Sequence, residues 1–119
     1  MNDATTTIQQ LRDKVTKLVD DRDWSQFHSP KNLAMDIAIE AAELMEKFVW
    51  LDVKASYEEL EKNRQEIEDE LADVFVVALA FANAAKIDIA KAVEHKLIKT
   101  MEKYPIEKAK GRHTKYDKL

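Results

Sequence analysis

EIEDELADVFVVALAFANAA, residues 66–85, decides how this chain is read. Five acids fall in its first eight positions, after which it turns almost wholly apolar. Asp73 stands inside the transition, past Leu71 and Ala72 and directly before Val74 and Phe75. At about 100° per residue, Glu66, Asp69, Glu70 and Asp73 share one helical stripe that continues into Val77 and Ala84. The acidic half of a helix therefore runs straight into its apolar half. The preceding segment repeats the pattern, because Asp36, Glu40, Glu43 and Lys47 also fall on one stripe, with Asn32 and Trp50 near its ends.

Outward from these stripes the rest of the chain is also helical in pattern. One Gly and two Pro in 119 residues leave few of the breakers that strands and tight turns need. Ile8, Leu11, Val15, Leu18 and Val19 mark a first helix over about 6–20. Ser29 before Pro30 caps a second, expected to run to about Trp50. SYEE (residues 56–59) has the form of a capping box, Ser56 with Glu59, for a third helix reaching Ala85 with room for a kink. Asp88 caps a fourth, with Ile89, Val93, Leu97 and Met101 inward, and Pro105 ends it by pushing Tyr104 out of the helical region. Extended or poorly ordered chain is expected beyond. The fold class is all-α, an antiparallel four-helix-bundle type or half of a larger bundle shared between subunits. No repeat or linker divides the chain, so a single domain is expected, with a core over about 6–104 and a basic tail at 105–119.

Composition narrows function. Zero Cys removes disulfides, thiolate nucleophiles and thiolate metal sites. The N-terminus has no basic segment followed by an apolar one, and the run from Leu71 to Ala85 is broken by Asp73 and Asn83 and too short for a bilayer. A soluble cytoplasmic protein without membrane contact is expected. A net charge of −4 disfavours a nucleic-acid-binding surface over the whole molecule, although KYPIEKAKGRHTKYDKL (residues 103–119) gathers cations at the C-terminus.

The acidic stripes are then the chemistry to explain. Two solvated helix faces are the ordinary reading, since Glu is a common surface residue. Ala42, Leu44, Ala72, Val74 and Phe75 crowd these acids, however, and desolvated carboxylates that repel one another take up protons unless a cation neutralises them. An all-oxygen set suits Mg²⁺, or Mn²⁺ as a substitute, whereas zinc prefers His or thiolate. A helical di-iron site needs Glu followed three residues later by His, and neither Glu40 nor Glu70 has one. Mg²⁺ held by a few carboxylates keeps positions open for water and phosphate oxygens, which points to nucleotide chemistry. Spacing alone does not choose Glu70 and Asp73 over Glu66 and Asp69.

EAAELMEKFVW (residues 40–50) followed by DELADV (residues 69–74) resembles the paired acids of the MazG-like nucleotide pyrophosphohydrolases. RDWSQFHSPKNLAMDIAIEAAELMEKFVW (residues 22–50) is similar to the dCTP pyrophosphatase branch. The likeness covers about residues 8–111, with RDW, QFH, P-x-N-L, the paired acids, K-F-x-W and KYP in order. The resemblance implies Glu40, Glu43, Glu70 and Asp73 as Mg²⁺ ligands and catalytic acids. It implies cleavage of a nucleoside triphosphate between its α and β phosphates, with Glu43 or Glu40 as base for the attacking water. Trp24, Phe27, His28 and Trp50 match positions lining the base and sugar pocket, while Lys31, Lys96 and Tyr104 resemble positions that meet phosphates or close the site.

Two departures bear on the base. Thr100 stands where relatives often carry Asn, and Val77 where vertebrate dCTP pyrophosphatases carry Tyr. The resemblance implies a homo-oligomer, a tetramer built as a dimer of dimers, that removes surplus or modified nucleotides, with dCTP or dATP ahead of UTP-like substrates. The competing expectations are a non-catalytic helical interaction protein that docks a basic partner, and a related pyrophosphohydrolase acting on dUTP or a histidine-pathway nucleotide.

Overall fold

In the computed structural model, which describes residues 1–119, every regular element is helical. The chain falls into two compact units, Met1–Lys86 and Ile87–Leu119.

The first unit carries α1 (Ile8–Asp21), α2 (Pro30–Glu46), α3 (Val53–Lys62) and α4 (Arg64–Ala85), with a 3-10 turn at Ser25–Phe27. A reciprocal capping box starts α1: Gln10 N–H donates to Thr7 Oγ1 at 3.1 Å, and Thr7 N–H donates to Gln10 Oε1 at 2.7 Å. Ser29 caps α2 as its sequence predicts, its hydroxyl accepting from Asn32 N–H at 3.1 Å with Pro30 in the first turn. Asp23, in the loop between them, adopts a left-handed backbone with φ 53°, a conformation Asp tolerates better than most residues.

Three expected boundaries are corrected. The second helix stops at Glu46, not Trp50, and residues 47–50 coil through i→i−3 bonds such as Phe48 N–H to Met45 C=O at 3.0 Å. The third begins earlier than SYEE, because Asp52 accepts from Ala55 N–H at 2.8 Å. Ser56 therefore lies inside α3, where its hydroxyl donates to Val53 C=O at 2.6 Å. The same segment is two helices: the backbone leaves helical geometry at Asn63 (φ −120°, ψ 37°), whose side-chain amide turns back onto the Glu59 carboxylate. Asn favours such junctions because its short amide competes for local backbone and side-chain partners.

Within this unit α4 packs mainly on α2 and next on α1. Lys47, at the end of α2, meets Glu66, at the start of α4, so the two helices run antiparallel. Arg12 of α1 meets Asn83 near the end of α4. The buried apolar side chains are few: Val15, Leu33, Ile67, Leu79, Ala80 and Ala82. Larger ones, Met35, Ile39, Leu71 and Phe75 among them, stay more than a third exposed.

The second unit carries α5 (Ile89–Lys103) and the short α6 (Ile106–Ala109), ending in a 3-10 turn at Tyr116–Lys118. Asp88 caps α5 as expected, accepting from Lys91 N–H at 3.0 Å. Tyr104 leaves the helix before Pro105 with ψ 67°. Two expectations fail here. Val93, Leu97 and Met101 are exposed in the single chain and not inward, and the segment beyond Pro105 is ordered into short helical turns. The tail is tied by Tyr116, whose ring lies edge-on to Tyr104 at 6.1 Å and takes the Lys103 ammonium over its face at 4.6 Å. No helix is long and apolar enough to cross a membrane.

Candidate metal centre and adjoining cleft

The antiparallel pairing of α2 and α4 sets two acids of each helix against two of the other. One carboxylate oxygen from each of Glu40, Glu43, Glu70 and Asp73 lies within 4.8 Å of the rest. Glu66 and Asp69 are drawn elsewhere. Glu66 Oε2 accepts from Lys47 Nζ at 3.2 Å, and Asp69 Oδ1 accepts from Gln65 Nε2 at 3.0 Å. Of the acids that spacing leaves open, Glu70 and Asp73 are the two brought together with Glu40 and Glu43.

The four carboxylates face each other without enough donors. Glu40 Oε2 and Glu70 Oε2 are both inaccessible to solvent and meet no hydrogen-bond partner. Glu40 is pushed up to about 7, first by burial, then by a hydrogen bond to the Glu43 carboxyl, and then by the charges of Glu43, Asp73 and Asp36. Burial also raises Glu70, reinforced by Glu43 and Asp73 and opposed by the Lys47 ammonium. An ionised carboxylate only accepts hydrogen bonds, so two of them in contact must share a proton or a cation. Four converging carboxylates, two of them with a buried and unpartnered oxygen, fit a hard divalent ion, and the cluster could hold one.

Sequence reasoning placed Asp36 and Lys47 on the acidic stripe without a role. Half-buried Asp36 adds negative charge one turn before Glu40, and Lys47 is the cation that faces Glu66 and Glu70.

About 10 Å along α4 from Asp73 at Ala80, and about 16 Å at Ala84, taking roughly 1.5 Å per residue, these two residues line a cleft of about 390 Å³ shared with α1. Asn83 clasps the two helices at this point. Its Oδ1 accepts from Arg12 Nε at 2.8 Å, while Nδ2 donates to Arg12 C=O and Thr16 Oγ1, both at 3.2 Å. Neither Asn83 nor Asp20, at the cleft's rim, was singled out from sequence; the interruption of an apolar run by Asn83 was the available signal.

The remaining expected site residues are dispersed. His28 is half-buried and lines this cleft and a shallower one bounded by Phe27, Asn32, Asp36 and Ile39. Trp24 opens the 3-10 turn with the Arg22 guanidinium 5.7 Å from its ring centroid. Phe27 is 59% exposed and Trp50 is 92% exposed, so in the single chain neither ring is enclosed. Lys31 is exposed in the first turn of α2. Lys96 and Tyr104 belong to the second unit. There the Lys96 carbonyl accepts the Thr100 hydroxyl at 3.0 Å, and Tyr104 is half-buried beside Tyr116.

The chain is 31% identical over 115 residues to dCTP pyrophosphatase 1 of Rattus norvegicus, spanning 95% of this chain and 68% of the rat protein. It is 30% identical over 115 residues to dCTP pyrophosphatase 1 of Homo sapiens, with the same coverage. Among solved structures, a pyrophosphatase from Archaeoglobus fulgidus superposes with a TM-score of 0.81 at 37% identity, covering 88% of this chain and 98% of that one. The family pattern of the MazG-like proteins matches residues 35–119, which contain all four converging acids. The chain belongs to the MazG-like family.

Proposed function

We propose that this chain is a Mg²⁺-dependent pyrophosphohydrolase that converts a (deoxy)nucleoside triphosphate to the monophosphate and pyrophosphate. Its family and its likeness to enzymes named as pyrophosphatases support nucleotide pyrophosphohydrolase activity. The observation that carries the metal is the convergence of Glu40, Glu43, Glu70 and Asp73, with two buried oxygens lacking partners. Those four residues would hold Mg²⁺, or Mn²⁺ in its place, and the ion would supply Lewis-acid stabilisation of phosphate charge.

The chain's own groups do the rest. A water oxygen attacks the α-phosphorus, the bond from that phosphorus to the bridging oxygen breaks, and pyrophosphate departs with the bonding electrons. The water's proton passes to Glu40 or Glu43. Lys31, Lys96 and Tyr104 supply donors to the phosphates, and Trp24, Phe27, His28 and Trp50 receive the base and sugar. These seven roles rest on the motif match.

Residues that the single chain leaves bare, Val93, Leu97, Met101 and Trp50, support assembly with further copies, as a tetramer made of two dimers. We place the protein in the cytoplasm, clearing surplus or modified nucleotides, with dCTP or dATP preferred. Incubation with a panel of dNTPs and Mg²⁺ tests the activity. Pyrophosphate and the monophosphate are the expected products; release of orthophosphate, or no turnover of any nucleotide, would refute it.

A further inference from the structure

The cleft between α1 and α4 is a second feature of the molecule, separate from the carboxylates; His28 belongs both to it and to the neighbouring shallow cleft that holds Asp36. Glu70, Asp73, Ala80 and Ala84 fall on a single stripe of α4, and on the opposing helix Glu40 and Asp36 lead back along α2 towards its start, two residues after His28. A ligand whose phosphates lie at the acids would extend its other end into this cleft.

Thr16 and Asn83 of the cleft are engaged in the clasp to Arg12, but three of its other polar groups are uncommitted. Its floor includes Val19, Ala80 and Ala84, and its rim includes Asp20, Ser25 and His28. No cation or donor of the chain pairs with the Asp20 carboxylate, whereas neighbouring Asp21 is held by Lys17 at 2.7 Å. Ser25 and His28 likewise use no side-chain hydrogen bond within the chain. Asp20 also sits in the last turn of α1, where the helix dipole disfavours negative charge, and no basic residue in that turn offsets it. A cleft of about 390 Å³ that sets apolar Val15, Val19 and Ala80 beside a few polar groups held by no other side chain has the form of a ligand pocket.

We propose that Asp20 selects the base: its carboxylate accepts a hydrogen bond from the exocyclic amino group of cytosine or adenine and repels the carbonyl that uracil or thymine presents there. For the identity of the ligand this rests on the nucleotide-hydrolase reading above. Ser25 and His28, opposite, supply donors to the ring acceptors that an amino-bearing base carries beside that group. A base seated on the α1–α4 floor then has its specificity set by one charged acceptor. Loss of a hydrogen bond to a charged group changes affinity by roughly 10- to 100-fold.

The test is NMR titration of the full chain, and of Asp20→Asn and Asp20→Ala, with dCMP and dUMP, which differ in the amino or carbonyl group at position 4 and in N3, an acceptor in cytosine and an N–H in uracil. The wild type is expected to bind dCMP roughly tenfold or more tighter than dUMP. Asp20→Asn should equalise or invert the preference, since its amide can donate to the uracil carbonyl, and Asp20→Ala should lose the preference without gaining the other. Equal binding of both nucleotides by the wild type, binding of neither, or a preference that survives in both variants would overturn the proposal. Pyrophosphate release from dCTP with Mg²⁺, measured on the same proteins, separates the two readings. Release without discrimination between dCMP and dUMP sinks the role of Asp20 and leaves the activity standing; discrimination without release does the reverse.

Discussion

Glu40 on α2 and Glu70 on α4 each bury one carboxylate oxygen, Oε2, in the seam between the helices, and neither oxygen meets a donor. Two such oxygens lie beside two further acids, an arrangement a chain tolerates only with protons or a cation between them. That conflict has consequences for pH dependence, catalysis and metal affinity.

The first concerns pH. In the folded chain Glu40 is raised from 4.5 to about 7, mainly by burial. The folded state therefore binds more protons than the unfolded state between these values, and stability falls as pH rises through that window. This contribution is fully present below the unfolded value and lost above the folded one. Thermal unfolding of metal-free protein should thus show a melting temperature that declines from about pH 5 to about pH 8. Glu40→Gln should flatten the decline, and saturating Mg²⁺ should reverse it. A wild-type curve that stays flat in chelator would contradict the electrostatics.

Removing one acid should cost catalysis far more than fold. Glu40→Gln, Glu70→Gln and Asp73→Asn are each expected to lower kcat by about 10²- to 10⁴-fold, the range for a general base or a stabiliser of transition-state charge. Metal-free forms should melt no lower than the wild type at pH 8, because each variant removes repulsion. Steady-state pyrophosphate release and calorimetry check the two halves.

Lys47 tunes the centre without belonging to it. Its pair with Glu66 is exposed on the acidic side, and such pairs contribute about 0–1 kcal/mol, so Lys47→Met should leave stability nearly unchanged. The ammonium nevertheless holds Glu70 down. Its loss should raise the pH at which Mn²⁺ affinity reaches half its maximum, a quantity readable by water-proton relaxation. An unshifted midpoint would remove Lys47 from the site.

Asn83 ties α1 to α4 through three part-buried or exposed hydrogen bonds to Arg12 and Thr16. Asn83→Ala should destabilise the chain by about 1–3 kcal/mol in urea titration, because Arg12 Nε and Arg12 C=O lose these partners at a packed junction. A change under a few tenths of a kcal/mol would mean the clasp is redundant.

How far the sequence carried this account depends on whether a signal was local. Ser29 with Pro30 and Asp88 were legible as caps because a capping bond needs only a neighbour three residues on. Ser56 with Glu59 had the same form and misled, since Asp52 one turn earlier starts the helix first and leaves Ser56 inside it. The break at Asn63 is set by packing of α3 and α4 as well as by the residue, so periodicity ran through it. That Glu70 and Asp73, and not Glu66 and Asp69, converge with Glu40 and Glu43 depends on the position of α2, which no stripe contains. The inward face assigned to Val93, Leu97 and Met101 was read from apolar spacing, which says that a surface wants cover but not which chain supplies it.

The most direct test is a crystal of the protein grown with Mn²⁺ and a non-hydrolysable nucleoside triphosphate, measured for anomalous scattering. The account predicts a peak held by carboxylate oxygens of Glu40, Glu43, Glu70 and Asp73 and by phosphate oxygens of the nucleotide. A nucleotide seated elsewhere, with those four side chains carrying no metal, would contradict it.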